Sequence, residues 1–273
     1  MQVDVQFLGA AGTVTGSKFY LDTPELKLMV DCGMFQGIKA LRELNWHPLP
    51  IDVQGIDMVL LTHGHLDHTG YLPRLVGEGF RGQILGTSAT LAITEIILRD
   101  SARIHEEEAE KANREGYSRH KPALPFYTLE EAERSLSLFR SVAEGQWIRA
   151  SENIRFRFLY NGHIIGSTFI ELSINDRILV FSGDLGRYRD LLLDPPKQPD
   201  WADYLFIEST YGNKLHPDEE VEQQLTDLTR KVVHQGGNLL IPSFAVERLQ
   251  SLMFLLWRLY KHNQIPNIPI VVD

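Results

Sequence analysis

Residues 62–70 read Thr-His-Gly-His-Leu-Asp-His-Thr-Gly, and this stretch limits the fold more than any other. It follows Ile56-Asp57-Met58-Val59-Leu60-Leu61, an apolar run of strand length. After it, Tyr71-Leu72-Pro73-Arg74-Leu75-Val76 has the pattern of a short helix ending at Gly77. Three histidines and an aspartate therefore stand where a strand gives way to a helix. Imidazole nitrogen and carboxylate oxygen are the ligands preferred by borderline divalent ions such as zinc. The spacing lets His63 and His65 present their rings on one side of an extended turn. Asp67 and His68, adjacent at the helix start, can face a second ion beside the first. The plainer alternative is a polar loop in which Asp67 and His68 cap the helix. Four donor side chains within six positions weigh against it.

With 273 residues, 43% of them hydrophobic, the chain can bury one large core or two smaller ones. The single cysteine, Cys32, rules out an internal disulfide and fits a reducing, cytoplasmic setting. Met1-Gln2-Val3-Asp4 lacks the basic start and apolar block of a signal peptide, and no apolar run approaches membrane-spanning length. No membrane partner is expected. A net charge of −9 argues against broad binding to a nucleic-acid backbone. It leaves a local site open, because bound divalent cations would invert the field there.

Residues 3–8 alternate as a first strand. The glycines of residues 9–17 do not fit the G-x-G-x-x-G dinucleotide pattern, and Lys18-Phe19-Tyr20-Leu21 is strand-like. A glycine-rich hairpin loop that brings backbone close to the site is expected. Residues 26–30 form a strand ending in Asp31-Cys32-Gly33. A carboxylate there can orient a ligand histidine, or cap a turn with Gly33. Residues 37–50 read as irregular, with Trp46 and His47 in packing or surface roles. A strand at 83–87 precedes a long helix over 88–115, with Ile93, Ile96, Ile97 and Ile104 on one face and Glu106-Glu107-Glu108 solvated. Thr128-Leu129-Glu130-Glu131 has capping-box spacing and opens a helix with Leu129, Ala132, Leu136 and Phe139 on one side. His105 and His120 read as surface residues.

Strands are then expected at 154–160, 168–174 and 177–181, the last two joined at Asn175-Asp176. Asn161-Gly162-His163 and Ser182-Gly183-Asp184-Leu185-Gly186 each put one donor at a strand end beside glycine. They supply what the first cluster lacks, a third histidine for one ion and a carboxylate that can bridge two. A strand at 201–207 ends in Glu208-Ser209-Thr210-Tyr211-Gly212. Pro217, Asp218, Glu219 and Glu220 open a helix whose buried stripe is Val221, Leu225, Leu228 and Val232, closed by Gly236-Gly237. Strand 238–241, helix 245–262 and strand 268–272 follow, an alternation that begins a parallel α/β sheet.

Taken together, His63-x-His65-x-Asp67-His68, His163 and Asp184 resemble the signature of the metallo-β-lactamase superfamily, and Val30-Asp31-Cys32-Gly33 resembles its first motif. Further segments resemble the β-CASP nucleases, among them RNase J and the endonuclease of the pre-mRNA cleavage and polyadenylation complex. They are Leu8-Gly9-Ala10-Ala11-Gly12-x-x-Thr15-Gly16-Ser17, Gly162-His163-x-x-Gly166-Ser167, Phe181-Ser182-Gly183-Asp184-Leu185-Gly186, Glu208-Ser209-Thr210-Tyr211-Gly212 and Ile241-Pro242-Ser243-Phe244-Ala245-x-x-Arg248. The resemblance runs from Val3 to the end of the chain.

It implies an α/β fold, a four-layer αββα sandwich over residues 1–208, followed over 209–273 by the beginning of a parallel α/β β-CASP domain. It also implies two zinc ions. His63, His65 and His163 hold one, Asp67 and His68 the other, and Asp184 bridges. Asp31, Asp67, Asp184 and Glu208 are the implied acidic residues of catalysis. Ser209, Ser243 and Arg248 are candidates for contacts with substrate phosphate. The implied substrate is RNA, single-stranded, and the full-length parent is expected to form a homodimer.

The departure lies in two later histidines of the family, which His216, His234 and His262 do not match. The second zinc site is therefore incomplete in this chain, which resembles the N-terminal portion of a longer protein whose first domain closes later. Two ions about 3.5–4 Å apart lower the pKa of a shared water and aim it at phosphorus. The expected function is thus zinc-dependent hydrolysis of RNA phosphodiesters, weak or absent in this chain alone. The alternatives are a small-molecule ester or thioester hydrolase on the same scaffold and a non-catalytic RNA-processing subunit. The Glu208 and Ser243–Arg248 motifs disfavour the first, and intact ligands weigh against the second.

Overall fold

A computed structural model describes residues 2–215 and 221–272. His216 and the helix start expected at residues 217–220 lie outside the described residues. In chain order the elements are β1 (Asp4–Phe7), β2 (Phe19–Asp22), β3 (Lys27–Val30), α1 (Lys39–Leu44), β4 (Met58–Leu60), α2 (Leu66–Thr69), α3 (Leu72–Gly77), β5 (Gln83–Gly86), α4 (Ser88–Glu115), α5 (Leu129–Leu136) and β6 (Phe139–Ser141). They continue with β7 (Ile148–Arg149), β8 (Ile154–Tyr160), β9 (Thr168–Ile174), β10 (Arg177–Phe181), β11 (Tyr204–Phe206), α6 (Val221–His234) and α7 (Arg248–Lys261). Packing divides the chain into two compact units, Met1–Arg189 with Leu193–Thr210, and Asp190–Leu192 with Tyr211–Asp273.

The larger unit is mixed α/β, with two sheets. One runs β1-β2-β3-β4-β5-β6 and the other β11-β10-β9-β8-β7. β1, β2 and β3 pair antiparallel, and β3 through β6 pair parallel. In the second sheet only β10 and β11 are parallel. Asn175 and Asp176, both at positive φ (47° and 63°), close the β9–β10 hairpin, as a tight turn of the right twist requires. The sheets face each other across a core that includes Leu28, Val30 and Leu60 from one side and Phe156, Ile170 and Phe181 from the other. The opposite face of the first sheet, with Met29, Val59 and Ile84, packs on Leu72 and Leu75 of α3, Leu98 of α4 and Ala132 of α5. Among the described residues this unit shows one helical layer and two sheets of the expected sandwich.

Several local expectations change. Residues 37–50 are not wholly irregular, because Lys-Ala-Leu-Arg-Glu-Leu, all good helix formers, wind into α1. The span of α4 matches, but its buried face carries Leu91, Thr94, Leu98, Ser101 and Ala102, while Ile96 and Ile104 are exposed. The buried face mixes leucine with small and hydroxyl side chains, and the isoleucines Ile96 and Ile104 stay outside. Glu106 is not simply solvated, since its Oε1 accepts from the Leu129 N–H at 3.1 Å at the start of α5. His105 is not a surface residue. Its ring stands edge-on to Phe126 and Tyr127, and burial lowers its pKa. Phe139 leaves α5 to join β6, which pairs with β5.

The smaller unit packs Leu225 of α6 against Leu255, Leu256 and Leu259 of α7. Of the expected α6 stripe only Leu225 is buried. Val221 and Leu228 are exposed, and Thr226 and Thr229 are buried instead. Helix α7 starts at Arg248 rather than near Ala245. The strands expected at 238–241 and 268–272 do not form among the described residues. Their β-prone sequences find no pairing partner there, and Leu240 and Val271 are 87% and 88% exposed.

Candidate metal centre

Five strand ends of the larger unit deliver its polar side chains. Asp31 follows β3, His63 follows β4, His163 follows β8, Asp184 follows β10 and Glu208 follows β11. Because β8 and β10 run in the same sense, their loops meet at one edge of the sheet.

His65 Nδ1 lies 3.1 Å from His63 Nε2 and 3.2 Å from His163 Nε2. Asp184 Oδ2 stands 3.5 Å from His163 Nε2 and 3.9 Å from His63 Nε2. One donor atom from each of these residues lies within 4.8 Å of all the others. Ligands placed tetrahedrally at zinc–nitrogen distances of 2.0–2.1 Å would be about 3.3 Å apart, so this donor set fits such an ion. The other oxygen of Asp184, Oδ1, is 3.2 Å from His68 Nε2, and Asp67 Oδ2 is 4.0 Å from the same nitrogen. Asp184 thus presents one oxygen to the histidine trio and the other to His68.

The protonation states favour cation binding at the trio. Burial drives the His63 pKa well below its ordinary value, reinforced by neighbouring imidazoles. Burial also lowers His65, and takes His163 down to about 4. These rings keep their lone pairs at neutral pH, as ligation requires. For Asp184 burial works the other way, yet His68, His163 and His65 outweigh it and hold the carboxyl at about 2. Burial raises the Asp67 carboxyl, opposed by His68. His68 is opposed by burial, but Asp31 and Asp184 carry its pKa well above the usual histidine value.

Asp31 is buried at a positive φ of 58°. Its Oδ2 accepts from His68 Nδ1 at 2.7 Å and its Oδ1 from the Thr62 N–H at 2.8 Å, so one carboxylate ties the ends of β3 and β4 to the His68 ring. With Nδ1 committed, Nε2 faces Asp184. The α2 turn is gripped by backbone. Ser17 N–H donates to Asp67 O, Cys32 N–H to His68 O and Met34 N–H to Leu66 O, at 2.8, 2.7 and 3.1 Å. Gly33 lies so near that a Cβ there would sit 1.5 Å from Asp67 O.

Glu208 Oε1 accepts from Leu185 N–H and Oε2 from Thr210 N–H, each at 3.1 Å, which fastens the end of β11 to the Asp184 loop. Ser209 is exposed on the wall of a cavity of about 360 Å³ that also touches Asp31, His68 and Asp184. The glycine-rich loop, through Ala10 and Gly12, lines the same cavity. Ser243 and Arg248 belong to the smaller unit and are exposed within it.

Three supporting residues escaped the sequence reading. Asn161, fully buried, donates from Nδ2 to Ser182 O and Asp184 O at 2.9 and 2.8 Å, joining the loops that carry His163 and Asp184. Ser167 Oγ accepts from His163 N–H at 3.0 Å. Lys18, 1% exposed, lies beneath the Asp31 turn. Ser167, just before β9 and four residues after His163, was a usable signal; an asparagine at a turn and a lone lysine entering a strand give none.

A sequence profile described as the metallo-beta-lactamase superfamily matches residues 12–214. Ribonuclease TTHA0252 of Thermus thermophilus is 38% identical over 267 residues, 97% of this chain and 57% of that protein. Cleavage and polyadenylation specificity factor 73 of Drosophila melanogaster is 31% identical over 275 residues, 98% of this chain and 38% of that protein. Transcription termination factor FttA of Methanocaldococcus jannaschii is 28% identical over 277 residues, 99% of this chain and 42% of that protein. The chain thus spans between 38% and 57% of the length of these relatives.

Proposed function

The chain belongs to the metallo-beta-lactamase superfamily, and from that premise we propose that it is of the β-CASP branch and carries the hydrolytic centre of a zinc-dependent ribonuclease. The observation that supports this most directly is the convergence of His63, His65, His163 and Asp184, with the second Asp184 oxygen turned to His68. The names of relatives at 31–38% identity point the substrate toward RNA. Among the described residues no helix is long and apolar enough to cross a membrane.

His63, His65 and His163 would hold one zinc, Asp67 and His68 a second, with Asp184 shared. When bound, the pair supplies an acidified water and charge stabilisation at the phosphate oxygens. The protein's own part is positioning. Asp31 keeps a proton at His68 Nδ1 and so aims Nε2. Glu208 holds the Leu185 amide and with it the Asp184 loop. Ser209, on the cavity wall, would donate to a phosphate oxygen, and Ser243 and Arg248 are assigned further phosphate contacts. The substrate is assigned as single-stranded RNA, entering along the open cavity of about 360 Å³ beside Asp184 and Ser209. We assign residues 1–208 to the metallo-β-lactamase domain, 209–273 to the β-CASP domain, and the whole protein to a cytoplasmic homodimer.

Four protein donors would hold the first ion and three the second, so the first is expected to bind more tightly. Zinc per chain and cleavage of an end-labelled single-stranded RNA, against a thioester control, test the proposal. The expected result is two unequal zinc affinities and slow, chelator-sensitive RNA hydrolysis that Asp184→Asn abolishes. Zinc-independent cleavage, or thioester hydrolysis without RNA hydrolysis, overturns it.

A further inference from the structure

Among the described residues of the larger unit, Lys18 is the one ammonium found with the fully buried large side chains, at 1% exposure. Its Nζ donates to Gly33 O at 2.5 Å and to Gly16 O at 3.2 Å, and stands 4.5 Å from the centre of the Phe35 ring and 5.1 Å from that of Tyr71. The hydrogen-bond partners are neutral carbonyls. Burying a charge against neutral groups is costly, and a methionine would fill the space more cheaply. Burial takes the pKa down to about 8, so the ammonium persists at neutral pH.

What it joins explains its presence. Gly16 precedes Ser17, whose N–H holds Asp67 O, and whose own carbonyl accepts from Gly33 N–H at 2.9 Å. Gly33 stands between Cys32 and Met34, whose N–H groups hold His68 O and Leu66 O. The ammonium therefore cross-links, from below, the two backbone segments that grip α2. Of the histidine trio only His65 is tied to α2, as its N-cap with its carbonyl accepting from His68 N–H at 3.0 Å, whereas His63 follows β4 and His163 is held through Asn161 and Ser167.

We propose that Lys18 is a positioning residue for the Asp67/His68 half of the metal centre. It fixes the Gly16 and Gly33 carbonyls and thereby sets where that half of the site points. The inference rests on reading the site as a two-ion hydrolytic centre. A small cavity of about 160 Å³ lined by Lys18, Asn45, His47 and Tyr71 adjoins the ammonium and gives a small amine a way in.

The test compares the native chain with Lys18→Met and Lys18→Ala. Zinc is titrated into the metal-free proteins by calorimetry, and imidazole N–H signals are followed by ¹⁵N NMR without metal. In Lys18→Met the weaker zinc class should lose about tenfold or more in affinity while the tighter class changes by less than about twofold. The His68 Nδ1–H signal should shift and exchange faster, and that of His163 should stay. Propylammonium should restore both readouts in Lys18→Ala, and tetramethylammonium, which has no N–H, should not.

Equal weakening of both classes, an unmoved His68 signal, or equal rescue by both cations overturns the proposal. A native chain that binds one zinc only would sink the two-ion reading, and the His68 signal would still decide the role of Lys18. Should Lys18→Ala not fold, Lys18→Met carries the same comparison.

Discussion

The difference between Asp31 and the ligand histidines is one of role. Asp31 Oδ2 meets His68 Nδ1 at 2.7 Å, so replacing Asp31 by Asn keeps size and shape but offers an amide where a carboxylate held the ring. Expected is a loss of roughly tenfold to a hundredfold in affinity at the His68 half, with the histidine trio little affected, as zinc calorimetry would record. Unchanged affinities would mean that Asp31 serves only the Thr62 amide. Asp31 was partly legible in the sequence, as a carboxylate closing a strand that could orient a ligand histidine or cap a turn with Gly33. Asn161 and Lys18 were not. Asn161 looks like any turn residue, and its two carbonyl partners belong to a loop more than twenty positions away. Lys18 occupies an alternation in which lysine normally reads as solvent-facing.

Among the elements, the short helix α2 matters more to the site than the long helix α4. Four residues cannot hold a helix by their own hydrogen bonds, and α2 is kept by backbone contacts from Ser17, Cys32 and Met34. Gly33→Ala places a Cβ against the Asp67 carbonyl, with backbone on both sides and no flexible side chain to yield. The expected cost is about 3 kcal/mol or more in urea unfolding, with zinc uptake impaired. Thr128→Ala is the control. Thr128 and Glu131 form a full capping box on α5, so its removal should cost about 1 kcal/mol and leave zinc binding as it was. If both variants changed zinc uptake alike, α2 would have no special hold on the site. Element ends were well read wherever a cap or glycine marks them, as at Thr128 and Gly116. Faces were read less well. The isoleucines of α4 imitate a buried stripe by spacing alone, whereas the true stripe of Leu, Thr, Ser and Ala is set by how close the sheet comes. The strands expected at 238–241 and 268–272 had the composition of strands, but pairing is a property of neighbours and cannot be read from a segment.

At the scale of the whole molecule, the candidate metal donors come from segments that the chain keeps far apart. Residues 63–68 follow β4 in the first sheet, while His163 and Asp184 follow β8 and β10 in the second. An unfolded chain lacks the assembled site, so a zinc ion held there as proposed would favour the folded state. It would then add stability as the logarithm of its concentration over Kd, up to about 2.7 kcal/mol at a hundredfold excess. That stabilisation belongs to the unit whose two sheets it pins together. The smaller unit has an apolar cluster of its own around Leu255, Leu256 and Leu259, and no donor to this site among the four converging residues. Hydrogen exchange with and without zinc should therefore slow the amides of β4, β8 and β10 by a large factor and leave those of α6 and α7 unchanged. If α6 and α7 gained the same protection, the two units would unfold as one. If neither gained any, the four donors would not be holding an ion, because a ligand that engages three separate strand ends cannot bind without resisting their separation.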